Sequence, residues 1–453
     1  MVCIRAGALA VLLLATINAG ATDFSVTRLD DPVPSGCLPD DCSLREAVIA
    51  ANALPGADRI LLPAGSVQLT ITNTGPNPGA TQGDLDLTNA VEIVGVSAAS
   101  SAILALNNDR LFNIIPGVDV TLRKLTLGGG KSGIGGAILQ NGGLTIEDAV
   151  IGNNTATGDG GAIRNSSTTE TVLRRVQLLD NVSGAHGGAI QDGGGGVLIV
   201  DSVLSGNNAT DGGAIFGHEV RIYRSVFENN KATGNGGAVR TDPNCSCTML
   251  EVHESTFTAN SAAKGGALYT AFPFDIELST ISGNSASVSG GGIYLDNTSG
   301  NNFLARNLHG STLYLNTAPT ASAILFYDVS VDNSLTPSVQ NTIVGGTCAH
   351  AGTGSETFDA LLGNIESPGH SCGFGLFSLS DVASLNLGAL GDNGGPTPTH
   401  LPLAGSIAIA NGWDIVCDGR DQRGYARNDN QCDSGSVEVG ALDDVLFRDG
   451  FDF

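Results

Sequence analysis

From Arg59 onward the apolar residues of the chain fall in short runs. Ile60-Leu61-Leu62, Val67-Gln68-Leu69-Thr70-Ile71, Leu85-Asp86-Leu87, Val91-Glu92-Ile93-Val94 and Val120-Thr121-Leu122 are three to five residues each. Several alternate apolar with polar, and Gly, Pro and Asn interrupt them, which predicts strands separated by tight turns. One earlier stretch has a different period. Ser43 followed by Glu46 is a capping box, and Leu44, Ala47, Val48 and Ala51 then share one face at helical spacing. Asn52 and Pro55-Gly56 close it. A single amphipathic helix ahead of many strands is suited to covering the open end of a stack.

The pattern becomes a repeat at Gly135. Gly135-Gly136-Ala137-Ile138, Gly160-Gly161-Ala162-Ile163, Gly187-Gly188-Ala189-Ile190, Gly212-Gly213-Ala214-Ile215, Gly236-Gly237-Ala238-Val239 and Gly265-Gly266-Ala267-Leu268 are versions of one phrase, with Gly291-Gly292-Ile293-Tyr294 read as a seventh. The steps are 25, 27, 25, 24, 29 and 26 residues. Ala321-Ser322-Ala323-Ile324 reads as a degenerate eighth copy. Before each later phrase stands an apolar residue three places ahead of an asparagine: Ile151–Asn154, Leu178–Asn181, Leu204–Asn207, Phe227–Asn230, Phe257–Asn260, Ile281–Asn284 and Leu313–Asn316. A period of about 25 residues is too short for a domain and suits a coil stacked on copies of itself. If each coil makes two or three strands, parallel pairing about 4.8 Å apart puts the asparagines in a buried ladder. The paired glycines then sit at the opposite corner, where positive φ or close approach is needed. The expectation is all-β: a parallel β-helix, right-handed by the general preference of crossovers, with an N-terminal capping helix. Leucine-rich repeats lack a matching leucine pattern here, and propeller blades are longer.

Composition narrows the setting. The 453 residues carry a formal charge of −24 with 41% apolar residues, so the chain is neither disordered nor suited to nucleic acid, whose phosphates call for Lys and Arg. Arg5, the apolar run Ala6–Ile17 and the small residues Ala19-Gly20-Ala21 predict a secretory signal over 1–21. Later apolar runs are too short to span a bilayer as helices, so no transmembrane helix is expected after cleavage. Eight cysteines follow the signal, an even number as expected for an exported chain. They pair in sequence as Cys37–Cys42, Cys348–Cys372 and Cys417–Cys432; Cys245 and Cys247 are either a strained bridge or two thiols.

Three stretches carry family resemblances. The apolar-x-x-Asn and Gly-Gly-Ala-Ile pair resembles the repeat of chlamydial polymorphic outer-membrane proteins. Cys42 through Asn52 is similar to the N-terminal CSLREA domain of bacterial exported proteins. Leu387 to Thr397, Asp421-Gln422-Arg423-Gly424 and Cys432-Asp433-Ser434-Gly435 resemble a choice-of-anchor region. These resemblances imply a pectin-lyase-like solenoid and no assigned reaction. The organisation expected is a signal at 1–21, a CSLREA cap at 22–58, the β-helix at 59–385, a cap or anchor-like region at 386–440 and a tail at 441–453.

Candidate chemistry is sparse. Asp159, Asp192 and Asp211 beside glycine corners could stack along one edge, with Arg164, Arg174, Arg175, Arg221 and Arg224 as strand-side bases. Asp beside Gly is also ordinary turn chemistry. Cys348-Ala349-His350 and His370-Ser371-Cys372 form a mirrored set that could hold zinc, against the plainer reading of a disulfide with two flanking histidines. Asp421 to Arg427 is a binding loop or a set of internal salt bridges. His186, His218 and His253 stand singly. No catalytic residue, metal site or cofactor is assigned. The expected function is a secreted or cell-surface, adhesin-like protein that binds a surface protein or polysaccharide as a monomer. An extracellular polysaccharide lyase or hydrolase and a structural spacer are the alternatives.

Overall fold

Four corners per coil, each with its own local chemistry, set the architecture. The computed structural model describes residues 20–440 except 76–78, 107–108, 243–248, 272, 299–305, 329–335, 354–357, 361, 376, 414–418 and 428–431. Residues 1–19, within the expected signal at 1–21, together with Cys245, Cys247, Cys417 and 441–453, lie outside the described residues. Four parallel sheets form the stack, with thirteen, twelve, seven and eleven strands among the described residues, the seven-stranded one confined to Lys131–Ser289. In the order in which each coil visits them, they are termed sheets I, II, III and IV. The fold is a parallel β-solenoid, and the repeat region makes four strands per coil rather than two or three.

Register follows the repeat. The isoleucine after each glycine phrase lies on sheet IV, Ile138 beside Ile163, Ile190 and Ile215. The apolar residue before each asparagine lies on sheet II, where Phe227 and Phe257 stack in the core with ring centroids 4.8 Å apart. All of these side chains are buried. Two corners differ from expectation. Asparagine and glycine corners are consecutive rather than opposite, because the two-residue strands of sheet III, such as Thr155–Ala156, run between them. The seventh phrase is also shifted by one: Ile293 pairs with Leu268, so Gly290-Gly291-Gly292-Ile293 is the true copy and Gly292 takes the alanine place. Ile324 pairs with Ile293, which makes Ala321-Ser322-Ala323-Ile324 the next copy.

Helix α1 (Leu44–Ala53) closes the N-terminal end. Ser43 is its N-cap, with both halves of the capping box present. Leu44, Ala47, Val48 and Ala51 bury their side chains in the core. Arg45, fully buried, binds Asp31 through Nε at 2.7 Å and Nη2 at 3.0 Å, and also donates to the carbonyls of Ala80 and Gly83. The Asn73–Gly83 excursion is thereby tied to the cap.

The described residues of 386–440 lie against the outer face of sheet II. Gln422 donates to Thr256 Oγ1 and Thr397 Oγ1, both at 2.9 Å, and accepts from Thr280 at 2.7 Å. His400 contacts Ser282 at 2.7 Å and Ser436 contacts Thr312 at 3.2 Å. The strand pair Leu387–Gly391 and Thr399–Pro402 is antiparallel. Within this layer Arg423 pairs with Asp421 at 2.7 Å and Arg427 with Glu438 at 3.4 Å. The Asp421–Arg427 segment therefore carries internal salt bridges.

Candidate functional site

The ladder residues account for themselves first. Asn154, Asn181, Asn207, Asn230, Asn260, Asn284 and Asn316 are buried one above another. From Asn181 onward each Oδ1 accepts from both the backbone N–H and the Nδ2 of the preceding asparagine, at 3.1 and 2.9 Å for Asn207 onto Asn230, while Asn154 Oδ1 accepts from the Gly130 N–H. The second Nδ2 hydrogen goes to the carbonyl of the apolar partner one coil back, as in Asn230 to Leu204 at 2.8 Å. Their polar capacity is consumed by the fold.

A second ladder escaped the sequence reading. At the corner between sheets I and II, Ser202, Ser225, Ser255, Ser279 and Ser311 are buried in a row. Each accepts from the backbone N–H one coil earlier, with Ser202 onto Ser225 Oγ at 3.0 Å and Ser225 onto Ser255 Oγ at 3.1 Å. The residue before each serine, such as Asp201, Arg224 or Glu254, takes positive φ. The signal was present as a Ser two places before each sheet II apolar residue, hidden by the variability of its neighbours.

Disulfides join Cys37 to Cys42 and Cys348 to Cys372. Cys432 is also half of a disulfide. Because Cys348 and Cys372 are bonded to each other, their thiolates are not free as zinc ligands. His350 instead meets the edge of Phe326 at 5.3 Å.

What remains available for function lies on outer faces. Sheet I presents two half-exposed rows. Arg59 and Glu92 stand in one row and Arg123, Glu147 and Arg174 in the other, and ion pairs link them in alternating sign, with Arg123–Glu92 at 2.9 Å across the rows. Farther along, Arg221 pairs with Glu170, and Tyr223 donates to Glu251 at 2.7 Å and stacks on His253 at 5.1 Å. Glu277 stands between His253 at 3.4 Å and His309 at 3.8 Å. His253 is pushed upward because Glu277 outweighs burial, and the same pairing holds Glu277 low. Burial raises Asp275 beside them. Of the other candidate arginines, Arg174, Arg175 and Arg224 pair with Glu147, Asp148 and Asp201 one coil earlier.

Sheet IV carries the densest chemistry. The fifth letter of each glycine phrase lies on the side of the sheet away from the core, giving the row Leu139, Arg164, Gln191, Phe216, Arg240, Tyr269, Tyr294 and Leu325, of which Gln191, Phe216, Tyr269, Tyr294 and Leu325 are nevertheless buried. Reading that letter down the repeats would have found it. The Arg240 guanidinium lies 5.2 Å from the Phe216 ring centroid and 5.5 Å from that of Tyr269. Tyr269 and Tyr294 stack at 4.8 Å, and Lys264 Nζ lies 5.2 Å from the Tyr294 ring centroid. Tyr269 donates to Asp296, and burial with that contact raises its phenol.

Along one border of the row, His186 Nδ1 meets Asp159 at 3.0 Å and Nε2 faces Asp211 at 3.8 Å, while Arg240 binds Asp211. Asp159 and Asp211 thus share one edge. Asp192 does not: it is buried at the other border, accepting from the N–H groups of Gly194, Gly195 and Gly196. There His218 lies 3.7 Å from Asp192 and 3.5 Å from Asp242, and Asp192 raises its pKa. Asp192 is held low because His218 and the glycine N–H groups outweigh burial. Among the described residues no group of three or more His, Cys, Asp or Glu is arranged to hold a metal ion, and no helix is long and apolar enough to cross a membrane.

Three stretches of this solenoid, residues 224–242, 254–271 and 279–296, match the model of the Chlamydia polymorphic membrane protein repeat. Each runs through the asparagine and glycine corners and onto sheet IV, so the repeat is of the polymorphic membrane protein type. The chain is 27% identical over 280 residues to the "Probable outer membrane protein pmp20" of Chlamydia pneumoniae, covering 52% of this chain and 16% of that protein. It therefore spans about a sixth of that relative's length. Among solved structures, the A-module of the Azotobacter vinelandii mannuronan C-5 epimerase AlgE6 overlaps 75% of this chain and 91% of its own at 15% identity and a TM-score of 0.32. The AlgE4 A-module from the same organism overlaps 80% and 94% at 18% identity and a TM-score of 0.31.

Proposed function

We propose that the protein is a surface-exposed solenoid that binds partners along its outer faces and does not transform them. The observation that carries this reading is the outer face of sheet I. It carries partly exposed charged side chains that are already ion-paired to one another, from Arg59–Glu92 to Glu277–His309, as suits contact with a broad surface. The repeat-level similarity to an outer membrane protein supports an exported location. The N-terminal segment is taken as a CSLREA-type cap and 1–21 as a secretory signal.

A second reading is an extracellular polysaccharide-active enzyme. It is favoured by the grouping of Asp159, His186, Asp211 and Arg240, where an imidazole between carboxylates sits beside a cation. Two measurements separate the readings. Protease accessibility of the chain on intact producing cells tests the surface location. A panel of proteins and polysaccharides, scored for both binding and cleavage, tests the activity. Binding without cleavage is expected; new chain ends released from any polymer would overturn the non-catalytic reading.

A further inference from the structure

We infer that the chain is cut between Ala21 and Thr22 and that the new α-ammonium of Thr22 is the counter-ion of the buried Asp58 carboxylate. This rests on the secretory reading of 1–21 proposed above and gives the terminus left by its removal a structural task.

A buried acid without a cation leads to the site. Asp58 opens the strand Asp58–Leu61 of sheet I and is fully buried. Its Oδ1 accepts from the Thr22 backbone N–H at 2.8 Å, and its Oδ2 has no hydrogen-bond partner. The adjacent Arg59 serves other acids, Asp23 at 3.6 Å and Glu92 at 3.2 Å. In the same cap the Asp31 carboxylate has the Arg45 guanidinium. A carboxylate taken out of water without a counter-charge is costly, and one amide hydrogen answers one of its two oxygens.

Thr22 is held at this spot from both sides. Its carbonyl accepts from the Arg59 N–H at 2.8 Å, and Asp23–Ser25 then pairs in parallel with Arg59–Leu61. Gly20 and Ala21 just before it are exposed, and a Cβ on Gly20 would meet nothing within 4 Å. The Ala21–Thr22 bond therefore lies at the surface, at the point where the chain enters the fold. Ala19-Gly20-Ala21 is the small-x-small pattern of a signal-peptidase site. The sequence thus puts the cut at the very bond whose nitrogen faces Asp58.

Hydrolysis there supplies what Asp58 lacks. A signal peptidase adds water across the Ala21–Thr22 bond. The water oxygen goes to the new Ala21 carboxylate, and both water hydrogens end on the Thr22 nitrogen. At pH 7 that nitrogen is an ammonium, with three donors and a positive charge. Before the cut it is a neutral amide with one hydrogen. Removal of the leader completes the N-terminal cap, because only the processed chain pins the first strand of sheet I with an ion pair.

Mass spectrometry of the chain recovered from producing cells should place the mature N-terminus at Thr22. Purified forms beginning at Thr22, at Gly20 and at an Nα-acetylated Thr22 are then compared by amide exchange. Exchange in Asp58–Leu61 and Leu44–Ala53 should be at least tenfold slower in the free Thr22 form than in the other two, which should resemble each other. Asp58→Asn should abolish that difference, and the acetylated form keeps the test decisive should this variant not fold. A mature terminus at another residue, or a difference that survives Asp58→Asn, would overturn the inference. Equal exchange in the three forms would overturn the ion pair and leave the secretory reading standing. A chain found only inside the cells with 1–21 intact would overturn the secretory reading, and the inference with it.

Discussion

Arg45 and Asp31 form a fully buried, two-pronged ion pair, with Nε–Oδ1 at 2.7 Å and Nη2–Oδ2 at 3.0 Å. The same Asp31 carboxylate accepts from the backbone N–H groups of Thr70 and Ile71. Helix α1, the entry segment and the first excursion are joined at this one contact. Replacing Arg45 by Leu leaves Asp31 buried without its cation. That should destabilise the N-terminal cap by about 3–5 kcal/mol, read as lost amide-exchange protection in α1 and Asp58–Leu61. Arg45→Lys should rescue little, because a point charge cannot reproduce the fork.

Asn230 receives a ladder neighbour on each side, whereas Asn316 is the last of the seven matched asparagines. Asn230→Ala removes the acceptor for Asn207 and strands the Leu204 carbonyl. A loss of about 2–4 kcal/mol is expected, with a smaller loss for Asn316→Ala. Hydrogen exchange resolved by coil checks this, since stacked repeats need not unfold in one step.

Gly212 and Gly213 serve different ends. Gly212 has a φ of +61°, and a Cβ there would meet the Ile215 carbonyl oxygen of its own phrase, while a Cβ on Gly213 would collide with the carbonyl oxygen of Gly237 in the next coil. Gly213→Ala should therefore split the stack locally. Protease cleavage appearing near that coil is the expected readout; an unchanged digestion pattern would contradict the argument.

Asp192 raises the His218 pKa above its ordinary 6.5, and Asp242 adds to it. A raised imidazole contributes stability that is fully present below its unfolded pKa and lost as pH climbs through the folded value. Asp192 is lowered from 3.8, so its own contribution is lost only as pH falls through its depressed value. The pair should add most stability between about pH 4 and 6.5, fading above. His218→Ala should flatten the fall in unfolding midpoint between pH 6 and 8; an unaltered pH profile would refute the pairing.

The Cys348–Cys372 bond closes a loop with a sequence separation of 24. Serine at both positions should lower stability by about 3 kcal/mol, with exchange quickening first in Cys348–Gly352.

The period, the buried ladder of Asn154 to Asn316, the helix from its Ser43–Glu46 box and the small glycine corners were determined by sequence alone. Each depends on local chemistry or on identical letters recurring at one spacing, and stacking turns identity into contact. The tertiary structure alone decided the rest. It separated the asparagine and glycine corners by one short strand, shifted the Gly290 phrase by a residue and laid 386–440 on sheet II. It also gathered Asp159, His186, Asp211 and Arg240 from four different coils. Those relationships depend on how the backbone turns at each corner and on contacts between different repeat positions, so the path of the whole coil decides them rather than the spacing of identical letters.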